Sequence, residues 1–228
     1  MGILDVTTVG SPGRVVSQFI EMLNEDILMP NLVSTANATL IAFVIGSLAG
    51  IAAGLALGSM QFPDRVMMPY VSFLNAMPRI AFAPLLIVWF GLTIWAKVWL
   101  GASLCVFIML LNTRSGARGV ERDWQMLSHT VEIRRWRFFW KVVIPSSMPA
   151  ILAGLRLSIV YALLGVIASE MIVAREGLGT LIVRYSSAQP DVSAVFAVLF
   201  VVALLASAFT LVVDVAERSL LKWQGDQR

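Results

Sequence analysis

The chain has 228 residues, of which 58% are hydrophobic and only 14% charged, with a mean hydropathy of +0.83. That is too apolar for an ordinary soluble domain and fits one all-α, polytopic helical membrane domain. The net charge of +3 does not argue for nucleic acid, because the basic residues flank apolar spans as they do in cytoplasmic loops. A single cysteine, Cys105, excludes an internal disulfide and a multi-cysteine metal site, and the single histidine, His129, reads as a solvated or interface residue rather than a metal ligand.

Asp5 and the lack of a basic region ahead of an apolar core predict no cleavable signal peptide. Residues 11–28 open with Ser11-Pro12, and Val15, Val16, Phe19, Ile20, Leu23 and Ile27 recur at helical spacing opposite Arg14, Gln18, Glu21, Asn24 and Glu25. The spacing predicts an amphipathic helix too polar to span, lying on the membrane surface or against the bundle edge. Residues 1–30 are read as an extracytoplasmic segment, 31–218 as the membrane domain and 219–228 as a cytoplasmic tail.

No charge occurs between Ile27 and Pro63, a run long enough to cross a bilayer core of about 30 Å. Within it Gly46, Gly50, Gly54 and Gly58 recur every fourth residue, placing a strip of glycine on one helix face. Such strips let two helix backbones approach closely in lipid, either inside one subunit or at a gliding or dimer surface. After the polar turn Gln61–Arg65 comes a second apolar stretch in which Pro69, Pro78 and Pro84 are expected to break the helix.

A third span is predicted from Ile94 to Asn112 and a fourth from Leu157 to Val173. Between Gly177 and Ser193 the pattern is a loop with a half-buried helical turn, and a fifth span covers Ala194–Val213. Residues 113–156 form the one long polar interruption, with Arg114, Arg118, Arg122, Arg134, Arg135, Arg137, Lys141 and Arg156 against Glu121, Asp123 and Glu132. By the positive-inside rule this loop, Arg65 and the C-terminal tail face the cytoplasm, and Arg14, Lys97, Arg175 and Arg184 lie outside.

No Walker-type GxxxxGK[ST], HExxH or GxSxG motif occurs, so the chain is not read as an enzyme. Arg79 and Glu170 are the two intramembrane charges singled out as candidates for a gated path, paired or separately, with Arg79 favouring an anion. The plainer reading has Arg79 capping the broken helix and Glu170 pairing with Arg175. Within the basic loop, a short helix ending before Pro145 would present Trp136, Phe139, Trp140 and Val143 as an apolar knob rimmed by Arg134, Arg135, Arg137 and Lys141. That element suits a protein partner or an anionic lipid surface.

The stretches LNAMPRIAFAPLLIVWFGLTIWAKVWL, LLNTRSGARGVERD and WKVVIPSSMPAILAGLRLSIVYALLGVIASEMIVAREGLGTLI resemble the permease subunits of bacterial binding-protein-dependent ABC importers, nearest the nitrate/sulfonate/taurine branch. The resemblance covers about residues 11–220. It implies a type I ABC importer permease fold in the bacterial inner membrane. It also implies a cytoplasmic loop that docks an ATPase, an extracytoplasmic solute-binding protein, and a second permease subunit, for which a homodimer is favoured and a heterodimer with a different permease is the alternative. ATP and Mg would sit on the ATPase and no cofactor on this chain. The family usually carries one more N-terminal span than the five read here.

In that family the loop has a Glu-Ala-Ala triplet, a following Gly and a later Leu-Pro. Here Ile144-Pro145 stands for the last, while Met126-Leu127-Ser128 and Glu132 replace the triplet and its glycine. The resulting expectation is a permease for a small anionic solute. The alternative is a non-transporting scaffold or accessory subunit whose basic loop binds lipid or protein.

Overall fold

A computed structural model describes residues 11–127, 135–173 and 175–220 of the chain. Its elements, in chain order, are α1 (Pro12–Asn24), α2 (Leu28–Gly58), α3 (Gln61–Ala76), a 3-10 turn (Arg79–Phe82), α4 (Ala83–Phe90), α5 (Ile94–Leu127), α6 (Arg135–Phe138), α7 (Ile144–Val173), α8 (Leu178–Val183) and α9 (Val192–Leu220). Among the described residues four helical stretches are long and apolar enough to cross a membrane: Leu28–Gly58, Ile94–Gly119, Trp136–Ile172 and Val192–Arg218. A fifth crossing is available if the bent pair Phe62–Ala76 and Arg79–Phe90, which meet at 76°, acts as one broken span.

Helix α1 starts where a side-chain oxygen can satisfy a free amide: Ser11 Oγ accepts from Arg14 N at 3.3 Å, with Pro12 in the first turn. Of the two placements open to it, α1 takes the bundle edge. Met22 is buried with Leu163, Ile167, Leu178 and Val198, while Val16 and Ile20 stay exposed.

The centre of the bundle is α2 lying along α5, and α5 along α7. The glycine strip explains the first contact. A Cβ at Gly46, Gly50, Gly54 or Gly58 would run into Cys105, Met109, Thr113 or Ala117 respectively, together with α5 carbonyls. The strip is therefore filled by α5 of the same chain and leaves no face there for a dimer partner. The α5–α7 crossing uses a second pair: a Cβ on Gly165 would lie 2.7 Å from Gly101 Cα. With no hydrophobic force between helices in lipid, such close backbone approach maximises dispersion contact and leaves the larger side chains to face outward. Exposed Val33, Leu40, Val44 and Leu48 on α2, and Phe196, Leu199, Phe200, Leu204 and Leu211 on α9, do so.

Four expectations are corrected. The prolines of the second stretch do not all break it: Pro69 lies inside α3, Pro84 sits in the first turn of α4 where its missing amide costs nothing, and the bend falls at Met77-Pro78. Gln61–Arg65 is the first turn of α3 rather than a connecting turn. The polar interruption at 113–156 is largely helix, since α5 continues to Leu127 and helix resumes at Arg135.

The short helix expected to stop before Pro145 does not stop. It passes through a π turn, Phe139–Val143, in which Ile144 N donates to Phe139 O, and continues as α7. Proline has no amide for the usual i−4 bond, and a one-residue widening of the helix absorbs that loss.

Candidate functional site

Among the described residues four polar clusters interrupt the apolar packing, one at the end opposite the basic loop, one at the bend and two toward the basic end. At the end opposite the basic loop, Glu170 of α7 is completely enclosed, its side chain 0% exposed, and Lys97 of α5 lies beside it at 8%. Lys97 Nζ is 3.1 Å from Glu170 Oε1 and also donates to Ser34 Oγ at 3.1 Å and to the Glu176 carbonyl. An ammonium has three protons, and protein acceptors take all of them.

The Glu170 carboxylate accepts from Thr35 Oγ1 at 2.9 Å and from Gly179 N at 3.0 Å. Leu178 N donates to Thr35 Oγ1 at 2.9 Å, and Gly177 N to Asn31 Oδ1 at 2.6 Å. The free amides that open α8 are thus satisfied not by a local cap but by side chains of α2 and α7. Gly177, at φ +129°, takes a backbone form that other residues rarely adopt, and a Cβ there would occupy the Glu170 carboxylate. Beside this cluster lies a cavity of about 270 Å³ whose lining includes Ser34, Thr93, Ser169, Arg175 and Glu176.

At the bend, Arg79 is half-buried. Its Nη2 donates to Asn75 Oδ1 at 2.8 Å and Leu74 O at 3.3 Å, and its guanidinium lies 4.1 Å from the centre of the Phe107 ring. Two acceptors and an aromatic face hold a cation at the point where the helix breaks and backbone carbonyls are freed. Arg79 and Glu170 therefore have separate partners and do not pair. The expected Glu170–Arg175 pair is likewise replaced by Glu170–Lys97, while Arg79 does cap the end of α3, as the plainer reading has it.

At the opposite end, Asp64 in the first turn of α3 is 2% exposed. Arg114 grips it through Nε and through Nη2 at 2.9 Å, and Arg118 Nη2 adds a contact at 2.6 Å. Arg156 joins α7 to the end of α9, with Nε 2.6 Å from Asp214 Oδ1 and Nη2 donating to Glu217 Oε2 at 3.0 Å. The Asp214 contact is charge against charge without an aligned hydrogen bond.

Where helix resumes after the basic interruption, Trp136 and Trp140 are exposed at 67% and 53% and meet edge-on, ring centres 5.6 Å apart. Phe139 meets Trp140 at 5.9 Å, Arg137 and Lys141 are exposed, and Val143 turns into the core. The backbone of Met126 and Leu127 ends α5. Ser128, His129, Glu132 and Arg134 lie outside the described residues, as does the tail beyond Leu220, Trp223 included.

Sequence reading passed over Lys97 and Asp64. A signal for Lys97 was available: it stands 16 residues before Thr113, and Glu170 stands 14 after Arg156. Two antiparallel helices rising equally from one interruption bring such residues to the same depth.

The sequence matches the family described as binding-protein-dependent transport system inner membrane component over residues 26–222. It is 30% identical over 217 residues to the formylaminopyrimidine transport permease protein ThiX of Halalkalibacterium halodurans, covering 95% of this chain and 86% of that one. To the putative aliphatic sulfonates transport permease protein SsuC of Bacillus subtilis it is 29% identical, over 98% of this chain and 81% of the relative. To the taurine transport system permease protein TauC of Escherichia coli it is 26% identical, over 87% and 72%. A chain of the inward-facing MetNI methionine ABC transporter shares the fold, with a TM-score of 0.73 at 14% identity over 85% of this chain and 95% of that one.

Proposed function

The chain belongs to the family of binding-protein-dependent transport system inner membrane components, and on that premise we propose that it forms half of a gated path for a small anionic solute. It is a multi-pass inner-membrane permease subunit of an ABC importer and works with a separate ATPase and a solute-binding protein. ATP and Mg belong on the ATPase, and this chain contributes gating.

The observation that carries the reading is the exposed pair Trp136 and Trp140, rimmed by Arg137 and Lys141 and held at the root of α7 by the π turn. Large aromatic side chains on a rigid base, ringed by cations, are the composition of an interface anchor. In this reading the ATPase docks there. The Asp64–Arg114–Arg118 and Arg156–Asp214–Glu217 clusters carry its movement to α3 and to α9. The basic bias of that end supports a cytoplasmic placement for it and for the C-terminus.

The path runs beside Arg79, whose charge at the α3–α4 bend supports a solute bearing an anionic group, as do the sulfonate permease and, through the sulfonate of its zwitterion, the taurine permease among the relatives. A second copy of this chain completes the path, and lipid covers the apolar faces of α2 and α9.

Co-expression with the ATPase subunit tests the docking. The Trp136→Ala/Trp140→Ala double variant should lose co-purification of the ATPase while eluting as the same folded permease. Full retention of the ATPase, with normal stimulated hydrolysis, would remove the proposed anchor. Failure of the unaltered chain to bind or stimulate any ATPase would return the chain to the scaffold reading. Competition of uptake by taurine and methanesulfonate tests the anion.

A further inference from the structure

The cavity of about 270 Å³ is lined by polar groups whose hydrogen-bonding capacity is not used up by this chain. Ser34 Oγ accepts from Lys97 at 3.1 Å, which leaves its own proton to donate. Ser169 is only 3% exposed and lines the cavity, yet its hydroxyl has no hydrogen-bond partner among the described residues. A serine within a helix commonly returns its proton to the carbonyl one turn back, as Ser147 and Ser207 do here. A buried hydroxyl that forgoes that bond carries a desolvation cost unless something in the cavity meets it.

Arg175 and Glu176 line the same cavity, and both are exposed. Adjacent in sequence, they do not pair with each other, and among the described residues neither side chain has an ion pair or hydrogen bond. Glu176 bonds only through its backbone carbonyl, to Lys97. Ile87 and Leu92 add an apolar wall. One cavity thus holds a free cation, a free acid, two hydroxyls and apolar surface. A dianion would be repelled by Glu176 and a simple cation by Arg175, whereas a molecule carrying both signs satisfies both.

We propose that this cavity binds a small zwitterion, its oxyanion on Arg175, Ser34 and Ser169 and its ammonium on Glu176, with a short carbon chain against Ile87 and Leu92. The site is separate from the bend. Lys97 marks its level on α5 and Phe107, beneath Arg79, marks the other; ten residues of helix separate them, about 15 Å. The cavity is therefore the outer of two stations on the path, a placement that rests on the functional reading above.

The binding is tested on the purified full chain in detergent, with no ATPase or binding protein present. Thr93 also lines the cavity, and its hydroxyl is spent on the Phe90 carbonyl, so Thr93→Cys in a Cys105→Ala background reports occupancy without removing a proposed ligand group. Taurine should slow labelling of that cysteine by N-ethylmaleimide at least fivefold at saturation. Ethanesulfonate, which lacks the ammonium, should need at least fivefold more for the same protection, and sulfate should give none. Arg175→Gln should abolish protection by taurine, Ser169→Ala should raise the half-protecting concentration at least threefold, and Glu176→Gln should make taurine and ethanesulfonate equal. Ile94→Cys serves as reporter if the Thr93 variant does not fold.

Absence of protection by taurine, or protection unchanged by Arg175→Gln, overturns the site. The headgroup of phosphatidylethanolamine carries the same pair of charges. Protection by that lipid in mixed micelles, with none by taurine, would assign the cavity to lipid and overturn the solute.

Uptake of taurine by the reconstituted importer tests the station. Arg175→Gln should lower it at least fivefold with the ATPase still bound. Undiminished uptake alongside lost protection would take the cavity off the path and leave the binding site standing. A chain that binds no ATPase would sink the functional reading and leave the labelling result untouched.

Discussion

Arg118 Nη2 stands 2.6 Å from Asp64 Oδ2, so the first turn of α3 is tied to α5 one turn beyond the Arg114 contact with the same carboxylate. Two arginines on successive turns of one helix converge on one buried acid. The N-terminal position of Asp64 in α3 adds the favourable end of the helix dipole. Since α3 leads into the bend that holds Arg79, this clamp joins the helix bearing the basic extension to the broken segment.

Asp64→Asn leaves Arg114 facing a neutral group in a largely enclosed setting and should lower stability by about 1–3 kcal/mol. The Arg118 side chain is 38% exposed against 19% for Arg114. Arg118→Ala should therefore cost less, under about 1 kcal/mol. Thermal unfolding of the purified variants gives the order, and equal losses for Asp64→Asn and Arg118→Ala would contradict the clamp.

Gly50→Ala and Gly119→Ala should move stability in opposite directions. A methyl at Gly50 collides with Met109 and the Val106 carbonyl, forcing α2 and α5 apart at a cost of about 1–3 kcal/mol. Nothing lies within 4 Å of a Cβ at Gly119, in the exposed part of α5, where Ala should add roughly 0.5–1 kcal/mol through helix propensity. Size-exclusion profiles after a heat ramp would separate the two.

Thr113 Oγ1 is buried beneath Gly54 and has no hydrogen-bond partner among the described residues. Thr113→Val keeps the shape and removes the unsatisfied hydroxyl, so it should be neutral or stabilising by up to about 1 kcal/mol. A clear loss of stability would mean that the hydroxyl has a partner in the assembled importer.

Arg79→Gln should lower uptake of an anionic solute at least tenfold in proteoliposomes, at equal permease content. Arg79→Lys, which keeps the charge but not the forked geometry over Asn75, Leu74 and Phe107, should fall between. Undiminished uptake in the Gln variant would take Arg79 out of the path.

Much of the architecture was legible before any coordinates. Long uncharged runs force helix, because lipid offers backbone groups no other partner. A four-residue glycine spacing forces one small face, and the basic excess marks one end of the molecule. The resemblance to the permease family was carried by stretches that lie in α4, α5 and α7, which form the bundle and its bend.

Tertiary structure decided who meets whom. Gly46 to Gly58 could have faced another subunit, and it is the register of α2 against α5 that fills the strip internally. Glu170 could have lined a path or met Arg175. The antiparallel rise of α5 and α7 sets Lys97 at its depth, and the chain's return over the bundle end brings the Leu178 and Gly179 amides down onto Thr35 and the carboxylate. Pro145 stood as a helix stop by local rules, yet the packing of Val143 and the length of α7 carry the helix through by a π turn. The sequence by itself determined which segments are helical and which end is basic, because those follow from solvation and local spacing. Only the fold decided that Glu170 meets Lys97 and Thr35, that Asp64 meets Arg114 and Arg118, and that the glycine strip meets α5, because each pairs residues at least fifty positions apart, brought together by the register of one helix on another.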